Sequence, residues 1–313
     1  MKVVIPGGSG HVGATLIRHF RQVGWEIVVL ARNQFHSEGI RTVPWDGSSL
    51  GSWQAELDGA DVVINLAGRS VNCRYNVANL NEMMASRVDS VRVIGEAIAA
   101  CKNPPKVWLQ ASTATIYAHR FDAPNDEFTG IIGGHEPGAP FTWNVSIDIA
   151  KAWEAELDAA VTPGTRKIAM RSAMTMSPDP GSVFFVLAVL TRRGLGGRLG
   201  DGRQFVSWIH ELDFIGAVSF LIEREDISGP VNICSPNSLP QAEFARILRE
   251  SLGVPFGLPV PEIFVELGTW FMRTESELVL KSRRVMPSVL LQHGFEFGFA
   301  KWEHAAKSLA AQL

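Results

Sequence analysis

The strongest constraint on the fold is a glycine-rich turn close to the N-terminus. A short apolar run leads into Gly7, Gly10 and Gly13, spaced G-x-x-G-x-x-G, and a helical pattern follows. Gly7 can adopt backbone angles closed to other residues, Gly10 lets the main chain approach a phosphate, and Gly13 lets the helix lie close to the strand. This order of strand, tight turn and helix predicts a dinucleotide-binding turn whose N–H groups face a pyrophosphate. The predicted contacts of the turn are Gly7, Gly10, His11, Val12 and Gly13.

The residue that follows the second predicted strand bears on which dinucleotide binds. The strand covers residues 26–31 and is followed directly by Arg32. An acidic residue at this position suits the ribose 2′-hydroxyl of NAD, whereas the Arg32 guanidinium suits the 2′-phosphate of NADP. We therefore expect NADP as the cofactor, with NAD left open. The alternative is that Arg32 is an ordinary solvated loop cation.

The order of the remaining patterns predicts an α/β fold. Strand and helix patterns alternate through the first half of the 313 residues, which indicates a doubly wound parallel Rossmann sheet with helices on both faces. Further strands are expected at 42–45, 60–68 and 106–111. Ligands of such sheets bind beyond the carboxyl ends of the strands. Residues that end or follow these strands are therefore further predicted cofactor contacts: Asp46, Asn65, Ala67 and Gly68.

Several longer segments can be assigned from their composition and periodicity. Helical spacing of apolar residues predicts helices at 79–101, 147–160 and 183–193. Residues 122–140 are rich in Gly, Pro and acids, and we expect them to form a lid or a mobile flap. The motif at 208–213 is expected to begin another helix.

A second glycine-rich loop, residues 194–204, holds five glycines and two arginines. Such a loop either binds an anion or connects two domains flexibly. The predicted substrate contacts are Arg203, Gln204 and His210. Because only helical patterns follow residue 241, we expect a Rossmann domain at 1–235 and a small, mainly helical lobe at 236–313. Residues 173–207 are expected to contribute to the substrate side.

Composition excludes several classes of partner. The net charge is −3 and no basic run exceeds a pair of arginines, so we expect no nucleic-acid partner. The longest apolar run, residues 183–190, is too short to cross a bilayer, and no signal-peptide pattern precedes the first strand. We expect a cytoplasmic protein with a small-molecule substrate and no membrane contact, and a homodimer is left open.

The three cysteines do not indicate a metal or disulfide site. Cys73, Cys101 and Cys234 lie far apart, without a C-x-x-C pair or Cys/His ligand spacing. We therefore expect reduced thiols and no metal.

The motifs together resemble the extended and atypical short-chain dehydrogenase/reductases of the NAD(P)-dependent epimerase/dehydratase superfamily. More narrowly, the chain resembles a sugar-nucleotide epimerase-like branch with a C-terminal domain of unknown function. The resemblance covers essentially the whole chain. The motifs that carry it are the first glycine turn, 61–68 (DVVINLAG), 192–197 (RRGLGG), 200–204 (GDGRQ), 208–213 (WIHELD), 283–287 (RRVMP) and 294–297 (GFEF).

The resemblance implies a catalytic Tyr-x-x-x-Lys pair, in which the lysine lowers the pKa of the tyrosine phenol so that it can move a proton. It also implies a Ser or Thr that polarises the substrate oxygen. Thr113 matches this hydroxyl, and Lys151 matches the lysine, which would also hold the nicotinamide ribose. The tyrosine position holds Ile147, which cannot move a proton. The chain has two tyrosines, and neither begins a Tyr-x-x-x-Lys motif.

Another group must then carry the proton if the protein is an enzyme. Tyr117, four residues beyond Thr113, is the first candidate, and its structural alternative is a tyrosine packed beneath the sheet. His210 is the second, with a hydrogen-bonding role at a helix start as its alternative. The weaker candidates are Asp148 and His135.

Two hypotheses about function follow. The first is an NADP-dependent oxidoreductase or epimerase-like enzyme that acts on a small polar substrate, with nucleotide-linked compounds among the candidates. The second is a catalytically silent NADP-binding sensor or regulatory protein, which the loss of the tyrosine at Ile147 favours. On the first hypothesis, Ile147→Tyr is expected to restore a phenol one helical turn from Lys151.

Overall fold

The computed structural model describes residues 1–33, 39–71, 73–134, 136, 140–261 and 277–313. The described strands are β1 (Lys2–Pro6), β2 (Glu26–Ala31), β3 (Ile40–Pro44), β4 (Val62–Asn65), β5 (Val107–Thr113), β6 (Arg166–Ser172), β7 (Met174–Met176), β8 (Phe205–Val206), β9 (Trp208–His210), β10 (Gly229–Ile233) and β11 (Leu239–Pro240). The described α-helices are α1 (His11–Gln22), α2 (Val77–Ala99), α3 (Phe141–Ala159), α4 (Val183–Leu190), α5 (Glu211–Glu223), α6 (Gln241–Ser251), α7 (Glu277–Leu280), α8 (Ser288–Gln292) and α9 (Trp302–Ala310).

Seven strands form one parallel sheet in the order β10-β6-β5-β4-β1-β2-β3. The order reverses between β1 and β4, and the carboxyl ends of strands flanking such a reversal frame the ligand crevice of doubly wound folds. This confirms the predicted α/β Rossmann class. The ends of β1, β2, β4 and β5 therefore define where a cofactor would lie.

Alternate residues of the strands bury their side chains against two separate helical layers. Val3 and Ile5 belong to a core with α1 and α5, whereas Val4 faces a core formed with α2 and α3. Because successive side chains of a strand point to opposite faces, a continuous apolar run is what a strand covered on both faces requires. The sheet is consequently a rigid platform for the loops at its carboxyl edge.

A third apolar cluster joins the C-terminal helices to the segment around residues 174–208. Its centre is Trp302 of α9, which stacks on Phe244 of α6 with ring centroids 4.1 Å apart and contacts Trp208 at 4.9 Å. Phe184 of α4 belongs to the same cluster. The C-terminal helices therefore share a core with the chain before residue 208.

The structure corrects two predicted elements. Residues 208–210 form strand β9, paired in parallel with β7, so the helix expected to begin at Trp208 starts at Glu211. Helix α3 begins at Phe141, six residues before the predicted start at Ile147. In both cases apolar periodicity predicted that a helix is present but could not predict the residue at which it starts.

The segment expected to be a lid is anchored where it is described. Asn125 pairs with the backbone near the C-terminus, through Asn125 N–H to the Arg284 carbonyl at 2.7 Å and Met286 N–H to the Asn125 carbonyl at 2.9 Å. The Glu127 carboxylate accepts backbone N–H groups of Asn232 at 2.8 Å and Ser288 at 3.0 Å. These bonds fix residues 125–127, so this part of the segment is not a free flap.

Candidate functional site

The glycine turn after β1 is shaped by close backbone packing. Gly7 has φ +73°, and a Cβ on it would lie 2.6 Å from the Cα of Ala67, in the loop after β4. A Cβ on Gly13 would lie 2.2 Å from the carbonyl oxygen of Gly8. Only glycine fits at either position, because each brings two backbone segments together. The two glycines thus bring helix α1 and the β4 loop up to the turn.

Gly10 differs from the other two glycines because the space around it is open. It is exposed, and the nearest atom to a Cβ built on it is 3.9 Å away. It occupies the N-cap of α1, and no side chain caps this helix end. The Nε2 atom of His11 is buried and has no hydrogen-bond partner in the described chain. A helix N-terminus left uncapped beside an unpartnered polar atom suits an anion such as a pyrophosphate.

Two predicted cofactor contacts lie at the ends of β2 and β3. Arg32 is exposed directly after β2, and its guanidinium forms no ion pair with a described residue. The Asp46 carboxylate is engaged locally: it accepts the hydroxyl of Ser49 and the N–H groups of Ser48 and Ser49, at 2.8 and 2.9 Å. The hydrogen bond from the Ser49 hydroxyl lowers the pKa of Asp46 most, and these two N–H groups lower it further. Asp46 therefore stabilises the turn that it forms with Ser48 and Ser49, while the Arg32 guanidinium is available to a ligand.

Asn65, at the end of β4, is buried and positions the loop that follows it. Its amide nitrogen donates to Gln110 at 2.9 Å and Ser90 at 3.3 Å, and its oxygen accepts the N–H of Ala67 at 3.0 Å. This geometry favours a supporting role, because the side chain is fully engaged within the protein. Ala67 is thereby held against Gly7.

An arginine that the sequence did not single out lies behind this loop. The Arg87 guanidinium donates to the carbonyls of Met83 and Arg69 at 2.9 and 3.1 Å and lies 5.0 Å from the ring centre of Trp153. Its Cζ would be 3.3 Å from a Cβ on the exposed Gly68. Burial lowers the pKa of Arg87. The Arg87 side chain thus packs directly against Gly68.

Thr113 and Lys151 are both partly accessible at the carboxyl edge of the sheet. The Thr113 hydroxyl accepts the N–H of Thr115 at 3.1 Å, which caps the short 3₁₀ turn Ala114–Ile116. The Lys151 ammonium is exposed, lies 4.0 Å from Asp148 Oδ1, and would lie 3.8 Å from a Cβ on Gly134. The Thr113 hydroxyl accepts this bond through its oxygen, so its proton can be donated, and the ammonium of Lys151 faces the loop around Gly134.

Ile147, at the position of the missing tyrosine, is covered by the backbone of the preceding loop. It is 1% exposed. Its Cδ1 would lie 2.8 Å from a Cβ on Gly133, and its Cγ2 would lie 3.3 Å from one on Gly134. The two glycines leave only enough room for this side chain. A larger residue at 147 would have to displace the loop.

Tyr117, the first alternative proton carrier, has a structural environment. Its hydroxyl lies 2.9 Å from the Arg171 guanidinium, which donates to it, and donates to Asn232 Oδ1 at 3.0 Å. The side chain is buried, and this burial raises the pKa of Tyr117 despite the neighbouring Arg171. Arg171 is in turn paired with Glu154 at 2.7 Å. The geometry therefore favours the packing alternative over proton transfer.

His210 is likewise buried and acts as the N-cap of α5. Its Nδ1 accepts the N–H of Leu212 at 3.1 Å, and its ring stacks on Phe299 with centroids 3.8 Å apart. Burial lowers the pKa of His210 to about 4. The sequence predicted substrate contact at this position, but the geometry favours the structural alternative. Asp148 is exposed beside Lys151, and His135 lies outside the described residues.

The second glycine-rich loop places Arg203 and Gln204 in different environments. Gln204 is buried, and its amide donates to the carbonyl of Leu199 at 3.1 Å, which holds the loop together. Arg203 is exposed, with its guanidinium 5.8 Å from the ring centre of Phe121. Of the two, Arg203 is the one able to meet a ligand.

A C-terminal segment packs between the loop after β5 and strand β8. We call residues 281–286 the strap. It lies between the loop that follows β5 and strand β8, and it bonds to both: Lys281 Nζ donates to the Thr115 carbonyl at 2.8 Å, and Arg283 N–H donates to the Phe205 carbonyl at 2.8 Å. The RRVMP motif marked this segment in the sequence, but nothing local indicated its contacts across more than 150 residues.

The crevice and the turn define a dinucleotide-binding Rossmann fold of the short-chain dehydrogenase/reductase type. The chain belongs to the NAD dependent epimerase/dehydratase family, whose model matches residues 3–234. Residues 260–309 match a domain of unknown function, DUF1731.

Relatives of the same length support this assignment. The chain is 29% identical to cattle epimerase family protein SDR39U1 over 99% of this chain and 100% of that protein. It is also 29% identical to epimerase family protein YfhF of Bacillus subtilis, over 99% and 98% of the two chains. A crystal structure of human SDR39U1 (isoform 2) with NADPH superposes with a TM-score of 0.86 at 27% identity, covering 100% of both chains. Among the described helices, none is long and apolar enough to span a membrane.

Proposed function

We propose that the chain is an NADP(H)-binding oxidoreductase or epimerase-like enzyme that acts on a small polar substrate, with nucleotide-linked compounds in the candidate class. The observation that carries this proposal is the open N-cap at Gly10, with the unpartnered His11 Nε2 beside it and Arg32 exposed at the end of β2. These groups suit the two anionic parts of NADP, its pyrophosphate and its 2′-phosphate.

The remaining residues have distinct roles in this proposal. The first turn of α1, from Gly10 to Gly13, holds the pyrophosphate, and the loop at Ala67 and Gly68 lies along the cofactor. Lys151 holds the nicotinamide ribose and Thr113 orients a substrate oxygen. When bound, NADP supplies the hydride-transfer chemistry. The human relative crystallised with NADPH supports this choice of cofactor.

The proposal also gives different roles to two parts of the chain. Residues 1–235 bind the cofactor, and residues 236–313 complete the substrate side together with 173–207. The cluster of Trp302, Phe244 and Phe184 supports this division, because it joins the C-terminal helices to the chain around α4.

Replacing Arg32 tests the cofactor assignment. Arg32→Ala should weaken NADPH binding by about 10- to 100-fold, because a charge-assisted hydrogen bond contributes about 1.5–3 kcal/mol. NADH binding should not change, since NADH lacks the 2′-phosphate. The measurement is a fluorescence titration of the nicotinamide. Arg246→Ala is the matched control, because Arg246 is a solvent-facing arginine of α6 that pairs with Glu250 at 2.8 Å. An equal loss for both cofactors would show that Arg32 does not read the 2′-phosphate.

A catalytically silent NADP-binding sensor is the second candidate. The burial of Ile147 beneath Gly133 favours it, because no proton-moving group occupies that position. A panel of sugar, alcohol and ketone substrates separates the two functions. Background turnover with intact NADPH binding favours the sensor, whereas turnover above background favours the enzyme. Loss of that turnover in Tyr117→Phe, at unchanged fold, would contradict the structural role assigned here to Tyr117.

A further inference from the structure

The strap makes a specific contact with one imidazole on the loop after β5. The backbone N–H of Ser282 donates to Nδ1 of His119 at 2.8 Å, and the Ser282 hydroxyl donates to the carbonyl of Arg120 at 3.1 Å. A backbone N–H cannot accept, so Nδ1 must be the unprotonated nitrogen of the ring. The proton of a neutral His119 is therefore on Nε2, which makes Nε2 a hydrogen-bond donor.

The surroundings of His119 keep this ring uncharged. Burial lowers its pKa, Lys281 and Arg283 of the strap act in the same direction, and Glu136 and Asp201 oppose them. The Glu136 carboxylate is engaged, because it accepts the N–H of His119 at 2.9 Å and that of Gly134 at 2.7 Å. His119 is thus a neutral donor whose backbone is joined through Glu136 to the loop facing Lys151.

The ring of His119 is held by aromatic neighbours, and one of them also contacts the second glycine-rich loop. It lies 4.9 Å from Trp143 and 5.0 Å, edge-on, from Phe121, centroid to centroid. The Arg203 guanidinium lies over the same Phe121 ring. No described residue forms a hydrogen bond with Nε2 of His119, and the side chain is partly exposed. A hydrogen-bond donor and a cation therefore both contact the ring of Phe121.

We propose that His119 Nε2–H and the Arg203 guanidinium together bind an anionic oxygen of the substrate, either a carboxylate or a phosphate. The strap, part of the domain of unknown function, selects the donating tautomer. The proposal rests on the proposed function, because it places this anion site beside a bound NADP. A neutral donor next to a fixed cation favours an oxyanion over a cationic or apolar group.

A matched pair of variants separates the binding of the anion by His119 from the support that its ring gives to the strap. His119→Asn places an amide oxygen near the position of Nδ1, so it can still accept from Ser282, but it removes the donor at Nε2. His119→Gln reaches the position of Nε2 and restores a donor there. The probes are inorganic phosphate and malonate, added to NADPH-saturated protein so that the pyrophosphate site is occupied. Affinity is measured by calorimetry and the ring nitrogens by ¹⁵N NMR.

We expect the NMR spectra to show His119 protonated on Nε2, and this resonance to shift with at least one probe. The probe that binds identifies the substrate group as phosphate or carboxylate. His119→Asn and Arg203→Ala should weaken its binding by about 10- to 100-fold, and His119→Gln should retain most of it.

Wild-type anion affinity in His119→Asn, a ring protonated on Nδ1, or no shift with either probe would overturn the proposal. A parallel NADPH titration keeps the two proposals apart. Failure of the wild type to bind NADPH contradicts the proposed function, whereas loss of the anion site alone contradicts only the role of His119.

Discussion

The two ends of the crevice are built in opposite ways. At the glycine turn, Gly10 leaves an uncapped helix N-terminus open to solvent. At the N-terminal half of α3, Gly133 and Gly134 close over Ile147 and bury it. Glycine makes room for a ligand in the first case and for the protein's own loop in the second. The glycine turn thus leaves a helix end open, whereas packing fills the space around Ile147.

The largest effect is expected at Gly7. Gly7→Ala should lose about 1–2 kcal/mol for its positive φ and about 1–3 kcal/mol more for the clash with Ala67, and NADPH affinity should fall by more than about 100-fold. Gly24→Ala is the matched control, because Gly24 has φ +74° and a Cβ on it would meet nothing within 4 Å. Urea unfolding and NADPH titration measure both variants.

Gly24→Ala should show only the conformational part of the loss and should bind NADPH normally. Equal losses of stability in the two variants would mean that the contact between Gly7 and Ala67 does not shape the turn. Unchanged NADPH affinity in Gly7→Ala would show that the turn is not part of the cofactor site.

The next effect is a pH dependence of stability at the N-cap of α5. The pKa of His210 is about 4 in the folded protein, against 6.5 in the unfolded chain. Because the folded value is the lower one, the unfolded chain binds the proton more readily, and the free energy of unfolding falls as the pH drops from about 6.5 to about 4. The difference corresponds to about 3 kcal/mol as an upper value.

His210→Asn should remove this contribution while keeping an N-cap for α5, since asparagine is a favoured capping residue. Unfolding curves at several pH values between 7 and 4 compare the two proteins. The account predicts a flatter dependence in the variant. The same slope in both would show that His210 is not the buried neutral cap described here.

A smaller effect is expected at Ile147, where the sequence alone suggested that a tyrosine would restore catalysis. The structure instead predicts that Ile147→Tyr strains the loop and costs about 1–3 kcal/mol, as overpacking does, without raising turnover. Ile147→Val is the control and should cost about 0.5–1.5 kcal/mol. Thermal unfolding and the carbonyl substrate panel give both readouts. A stable variant with new activity would show that the loop over Ile147 opens readily.

The sequence predicted the glycine turn after β1 and the parallel sheet because their signals are local. Gly7, Gly10 and Gly13 have roles set by residues within one turn, and the apolar strands follow a simple pattern. These signals gave the parallel sheet, which the structure confirms. The predicted residue roles at the crevice are still proposals.

The segments around Trp208, Tyr117 and His119 were less predictable because their structure depends on distant partners. The sequence predicts that a helix starts at Trp208, whereas the structure pairs this residue's strand with β7. The sequence left Tyr117 between a proton carrier and a packed tyrosine, and the contacts of its hydroxyl with Arg171 and Asn232 favour the packed role. The tautomer of His119 is set by Ser282, more than 160 residues away. Periodicity and motif spacing carry no information about such contacts.

The most direct test of the central claim is a titration of the wild-type protein with NADPH and with NADH, followed by nicotinamide fluorescence. The claim is that the glycine turn holds NADP and that Arg32 reads its 2′-phosphate. The account predicts that NADPH binds more tightly by about 10- to 100-fold. Equal affinity, or tighter binding of NADH, would contradict it.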